Sequence, residues 1–286
     1  MGNIKLGINT ISNIKLGANQ VQKVYLGSNL IRSFTNYSTE LQAIINKANS
    51  EGFTVPNSTT LGYIDTLIGS MKSAGVWNKQ DRIYNFAFNN TGLTNFSRIE
   101  WKNPTISPLL TLNGGITYQV GGFEGNAVDG YIDTGFIPST NGVNYTQNNA
   151  SRTAVIYTAP SSGNVLDGNS PTGNNGMFLN NSASHRINAT NNLNTIANIS
   201  GTGLKSINRD NSTDLRLYSS STEYVRTETT NTFPILSQYI LRNTTSYGDS
   251  VVSNYMLGAS LSSTEISNLR GAYNTYLISL GLSAIA

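Results

Sequence analysis

The sequence predicts a mainly β protein: a jelly-roll or two-sheet sandwich preceded by a short β-repeat and a helical hairpin. Two observations carry most of this. Only 12% of the 286 residues are charged, about half the usual share, and Asn, Ser, Thr and Gly fill the deficit. Those residues favour turns and strand surfaces, whereas helix surfaces draw on Lys, Glu and Arg. From Trp77 onward, short polar–apolar alternations recur between turn clusters such as Asn113-Gly114-Gly115, Gly121-Gly122 and Asn174-Asn175-Gly176, the pattern of many short, half-buried strands.

The N-terminus supplies the repeat. Ile4-Lys5-Leu6-Gly7, Ile14-Lys15-Leu16-Gly17 and Val24-Tyr25-Leu26-Gly27 recur at a spacing of ten, each with Asn two residues after the glycine (Asn9, Asn19, Asn29). Apolar residues alternating with Lys or Tyr read as a strand with one buried face, and Gly-x-Asn supplies a turn. The expectation is three very short strands. Units this small need stacked neighbours to bury their apolar stripe, so residues 1–34 read as an oligomerisation and attachment module.

Residues 35–76 read as a helical hairpin. Ser38 or Thr39 opens the first helix, with Gln42 placed to close a capping box from Thr39. Leu41, Ile44, Ile45 and Ala48 form its apolar face. Asn57-Ser58-Thr59-Thr60 caps a second helix carrying Leu61, Ile64, Leu67, Ile68 and Met71. Residues 77–286 form the sandwich, with strands expected at 81–88, 151–158, 214–219, 238–243 and 254–261. Ser262 and Glu265 form a second capping box, and Ile266, Leu269, Tyr273, Tyr276, Leu277 and Leu280 make a helical stripe. That helix is expected to cover an edge or an end of the sandwich.

The net charge of +3 is small, and Lys and Arg are scattered, which argues against a nucleic-acid surface. There is no Cys, hence no disulfide, thiolate metal site or Cys nucleophile. No apolar run marks a secretory signal or a membrane span, so a soluble chain without membrane contact is expected.

Several segments carry a resemblance. The Lys-Leu-Gly repeats, Gly75-Val76-Trp77-Asn78-Lys79-Gln80-Asp81, Gly130-Tyr131-Ile132-Asp133-Thr134-Gly135-Phe136 and Leu257-Gly258-Ala259-Ser260-Leu261-Ser262 resemble virion proteins of crAss-like bacteriophages that infect Bacteroides. The main body resembles the concanavalin A-like, laminin-G-like jelly roll of such proteins. The resemblance covers most of the chain. It implies a non-enzymatic, trimeric fibre or capsid decoration on the virion, with a head fibre favoured over a tail fibre. In such a trimer Ile4, Leu6, Ile14, Leu16, Val24 and Leu26 would pack around the axis of a three-sided β prism. Lys5, Lys15 and Tyr25 would face outward, toward capsid proteins.

Chemistry-bearing residues are sparse. His185 is the only His, beside a turn, and reads as a surface or strand residue. Glucanases on this type of fold present Glu-x-Asp-x-x-Glu from one strand. The nearest approaches here are Glu124, Asp129 and Asp133, and Glu223 with Glu228. Neither set has the alternating spacing that aims acids into one cleft, and all read as solvated loop or strand-end acids. The loops considered for calcium are those of Asp129 and Asp133, Asp167-Gly168-Asn169 and Asp210-Asn211-Ser212-Thr213-Asp214, and none matches a calcium motif. Tyr145, Tyr218 and Tyr247 lie near loops and are the aromatics considered for stacking on a sugar, although a strand Tyr more often packs a sheet. The expectations are no enzyme, no metal, no cofactor, and host or mucosal surface glycans as possible ligands.

Overall fold

In the computed structural model, the structure describes residues 15–16, 19–20, 23–26, 29–33, 37–105, 107–162, 165–169, 175–179, 185–189 and 199–285, with backbone alone through residue 33. The chain divides into two compact units, residues 1–38 and 39–286.

Among the described residues, the first unit contains two hairpins. Strand β1 (Lys15–Leu16) pairs antiparallel with β2 (Asn19–Gln20), and β3 (Lys23–Leu26) with β4 (Asn29–Ser33). Leu16 lies opposite Asn19 and Leu26 opposite Asn29. The segments after Gly17 and Gly27 are therefore strands too, where one strand per repeat was expected. Pairing the two halves satisfies backbone groups that a lone short strand would leave open. Lys15 and Leu16 lie in β1, and Val24, Tyr25 and Leu26 in β3. Ile4, Lys5, Leu6 and Ile14 lie outside the described residues.

The second unit begins with α1 (Thr39–Ser50) and α2 (Ser58–Ser73). Leu41, Ile44 and Ala48 are buried on α1, and all five apolar residues foreseen on α2 are buried. Asn57 caps α2 by accepting from the Thr60 amide at 2.9 Å. The foreseen box on α1 gives way to a forward contact, Gln42 donating to Asn46 at 3.0 Å. A short α3 (Val76–Lys79) leads into β5 (Gln80–Asn85). After α4 (Thr94–Ser97) come β6 (Thr111–Asn113), β7 (Thr117–Gln119), β8 (Gly122–Glu124) and β9 (Tyr131–Asp133). Then follow α5 (Pro138–Asn141), β10 (Ala150–Thr158), β11 (Val165–Asn169), β12 (Gly176–Phe178) and β13 (Gly203–Arg209). The chain closes with β14 (Asp214–Ser219), β15 (Thr222–Thr227), β16 (Gln238–Ile240), β17 (Arg242–Asn243), β18 (Ser246–Tyr247), β19 (Val251–Gly258) and α6 (Ser263–Ser279).

Two antiparallel sheets enclose the core, as the alternation predicts. The larger runs β15-β14-β13-β10-β19-β8-β7, with β5 also paired to β19; the smaller runs β12-β11-β16-β9-β6. Tyr84, Phe86, Ala154, Ile156, Ile207, Leu215, Leu217, Tyr255 and Leu257 from the first meet Ile132, Leu166 and Ile240 from the second in one buried cluster. At roughly 1.5–3 kcal/mol per fully buried aliphatic or aromatic side chain, this cluster is the main driving force for the fold.

Helix α6 begins with the foreseen capping box between Ser262 and Glu265. It lies against the outer side of β5 and β19. Tyr276 donates to the Ala87 carbonyl at 2.9 Å and accepts from Asn85 Nδ2 at 2.9 Å, while Tyr273 donates to the Ser253 carbonyl at 2.7 Å. Asn85 faces outward because its neighbours Tyr84 and Phe86 face the core. Helix α2 packs on α6, so the helices cover a sheet face as well as closing the molecule. None of the described helices is long and apolar enough to cross a membrane.

A buried polar layer ties the sheets together and corrects three expectations. Asp167 is no turn acid: it is fully buried, 2.5 Å from Arg152 of β10, and accepts from Tyr255 at 2.7 Å. Burial pushes its carboxyl up, against the pull of Arg152 and Tyr255. His185 is fully buried and not a surface residue; its Nδ1 accepts from the Phe178 amide at 3.3 Å. Glu228 is likewise buried, held by Arg226 and by Arg209 at 3.5 Å. Each acid is buried beside a guanidinium that lies far from it in sequence or on another strand. Among the described residues, no cluster of three His, Asp or Glu side chains could hold a metal ion.

Candidate functional site

A polar groove of about 520 Å³ lies within the size range typical of small-ligand sites. One wall is the β13–β14–β15 meander at the edge of the large sheet. On β14, Leu215 and Leu217 point into the core, so Arg216 and Tyr218 emerge on the other side. The turn between β13 and β14 is fastened by Asn211, whose Oδ1 accepts from the amides of Thr213 at 2.8 Å and Asp214 at 2.7 Å. That turn sets Asp210 beside Arg216, Oδ2 to Nε 3.5 Å. Pairing of β14 with β15 puts Glu223 opposite Tyr218. Glu223 Oε1 then lies 2.8 Å from Arg216 and accepts from the Tyr218 hydroxyl at 3.1 Å.

The opposite wall is the segment joining β19 to α6, Ala259 to Ser263, with Lys79 and Asn149. Asn149 Oδ1 accepts from the Ser260 amide at 2.9 Å, and Lys79 pairs with Glu265 at 2.8 Å. Burial, reinforced by Glu223, pushes the Tyr218 phenol up to about 12, so it stays a neutral donor. The hydrogen bond to Glu223 raises the Arg216 guanidinium further above its usual range. Asp210 and Glu223 keep accessible carboxylates, with 48% and 31% of their side chains exposed. The groove therefore presents carboxylate acceptors, guanidinium and ammonium donors, and serine hydroxyls. This is a surface suited to a polyhydroxyl ligand.

The residues singled out from sequence scatter. Glu124 is on β8 of the large sheet and Asp133 on β9 of the small one. Asp129 is exposed and bonded to Asn126 at 2.7 Å and to the Gly115 amide at 3.0 Å. Glu223 reaches the groove, whereas Glu228 is buried elsewhere. Tyr145 is buried, its hydroxyl donating to Asn188 at 3.1 Å, and Tyr218 is buried with only its hydroxyl engaged in the groove. Tyr247 lies on the β17–β18 hairpin. Sequence reasoning missed Arg216 and Lys79, and weighed Asp210 only within a loop that matches no calcium motif. The available signal was the polar alternation Asp214-Leu215-Arg216-Leu217-Tyr218, which marks Arg216 and Tyr218 as one face.

No protein-family model matches this chain, and no curated protein matches it. Among solved structures, domain 4 of AbnA, an extracellular arabinanase from Geobacillus stearothermophilus solved with arabinotriose, is similar over 67% of this chain and 98% of its own length. Identity is 12% and the TM-score 0.45. The sialidase of Trypanosoma rangeli is similar over 73% of this chain, at 12% identity and a TM-score of 0.43; the match spans 39% of that enzyme's chain. Both neighbours come from glycosidases, which leaves the expectation of no enzyme without support. Asp210 and Glu223 each reach Arg216, one through a turn and the other through a strand pairing, not along a single strand.

Proposed function

We propose that the body of this chain is a carbohydrate-engaging β-sandwich that holds a saccharide in the groove between β14–β15 and the β19–α6 segment. The observation that carries this is the set of Asp210, Glu223, Arg216, Tyr218 and Lys79 around one 520 Å³ groove. Within the same proposal the chain is a bacteriophage virion protein, a head fibre in preference to a tail fibre. Its N-terminal repeats form the trimer core and the capsid-facing attachment. Several copies on one particle would turn weak single-site binding into avidity.

Titration of the full chain with an array of neutral oligosaccharides tests the groove. Glu223→Gln or Arg216→Gln is expected to weaken the best ligand about tenfold, the effect of losing a charged hydrogen bond. Ligands unaffected by both substitutions would remove the groove from consideration. Antibody labelling of purified particles tests the location.

A second reading, glycoside hydrolysis, is favoured by two carboxylates bordering one groove, the arrangement such chemistry requires. Release of new reducing ends that is lost in both Asp210→Asn and Glu223→Gln supports it; no release from any polysaccharide the chain binds rejects it.

A further inference from the structure

The outer face of the small sheet carries a feature unrelated to the groove. On β9 and β16, Ile132 and Ile240 are buried in the core. Their neighbours Tyr131, Asp133 and Tyr239 therefore share the outward face, with Tyr239 opposite Asp133. After β16 the chain kinks at Leu241, which has φ 64°, and enters the β17–β18 hairpin. The hairpin approaches β11 at Gly168, where a Cβ would come within 2.6 Å of Asn243. This close seating brings Arg242 and Tyr247 beside Tyr131 and Tyr239. The Arg242 guanidinium lies 4.4, 5.1 and 5.7 Å from the ring centroids of Tyr131, Tyr239 and Tyr247. Tyr131 contacts Tyr239 edge-on at 5.3 Å and Tyr247 at 6.3 Å.

Arg242 is thus a cation fixed by three aromatic rings. Its Nε donates to the Thr244 carbonyl at 3.1 Å. It forms no ion pair with any described residue. Asp133, the acid on this face, accepts through Oδ1 from the Gly135 amide at 2.9 Å and from the Ser237 hydroxyl. The terminal guanidinium nitrogens are left as a preorganised fork, the geometry that matches a carboxylate. Partly exposed tyrosine rings beside them offer apolar surface to the C–H face of a sugar, with a hydroxyl at each rim.

We propose that this platform is a second binding site, selective for acidic saccharides, in which Arg242 pairs with a sugar carboxylate while Tyr131, Tyr239 or Tyr247 contacts the ring. It stands independently of the groove, being built from different strands.

The test is calorimetric titration of the full chain with trigalacturonate as the acidic probe and galactotriose as the neutral one. Trigalacturonate should bind more tightly than galactotriose, and the difference should shrink with added salt. Arg242→Gln should weaken trigalacturonate about tenfold, while Glu51→Gln, just after α1 and outside both sites, should leave it unchanged. If Arg242→Gln lowers the melting temperature, Arg242→Lys, which keeps a cation over the rings, must retain the acidic preference. Equal binding of both probes, no binding at millimolar concentration, or acidic binding lost in Glu223→Gln but kept in Arg242→Gln would each overturn the proposal.

Discussion

Lys205 shows how burial sets the chemistry of single residues in this sandwich. It is 1% exposed, donates to the Ser200 carbonyl at 3.1 Å and to Ser219 at 2.8 Å, and burial depresses its pKa from 10.5 to about 8. Unfolded chains then bind more protons at this site than folded ones between these values, so the contribution of Lys205 to stability rises as pH increases from about 8. Urea titrations at pH 7 and pH 9, below the range where tyrosines of the unfolded chain ionise, check this, and Lys205→Met should abolish the rise. The Arg152–Asp167 pair is the other sensitive residue-scale feature. Removing one partner leaves a buried charge alone, so Asp167→Leu should cost about 3–5 kcal/mol in chemical unfolding. Replacing both partners with apolar residues should cost much less. Neither effect was legible in the sequence. Lys205 sits in an ordinary alternating strand, and Asp167 looks like a turn residue beside Gly168.

At the scale of elements, local physics was easier to read. The capping box of α6 needs only Ser262 and Glu265 three residues apart, and both halves form. Ser262→Ala should lower stability by about 1 kcal/mol, seen as a shift in the thermal midpoint. The buried face of α2 follows from its 3.6-residue period alone. The N-terminal repeats were legible as strands, but their pairing partner was not. The second half of the second and third repeats, Asn19–Gln20 and Asn29–Ser33, carries too little apolar alternation to stand out. For the proposed prism, Leu16→Asp should abolish assembly, read by light scattering, while the circular dichroism of the sandwich stays intact.

At the scale of the whole molecule, the helical hairpin and the sandwich fall in one compact unit, residues 39–286. Helix α2 gives its apolar face to α6 as well as to α1. A chain shortened to begin at Thr39 should therefore fold, whereas one beginning at Trp77 should expose the α6 face and lose stability. If the repeats drive assembly, light scattering should find the full chain trimeric and the Thr39 form monomeric. Equal masses for the two would reject that role.

The sequence alone determined the mainly β class, the three principal helices and most of their buried residues, because these depend on periodicities and caps spanning a few neighbours. It also placed five of the strands within a few residues of their positions. The tertiary structure decided which polar residues matter. Arg216 meets Asp210 through a turn and Glu223 through strand pairing, and Arg152 finds Asp167 across two sheets. Arg242 reaches three tyrosines only because a hairpin seats closely against Gly168. Each of these partnerships depends on register and layer packing, and in a sequence such residues are indistinguishable from ordinary solvated polar groups.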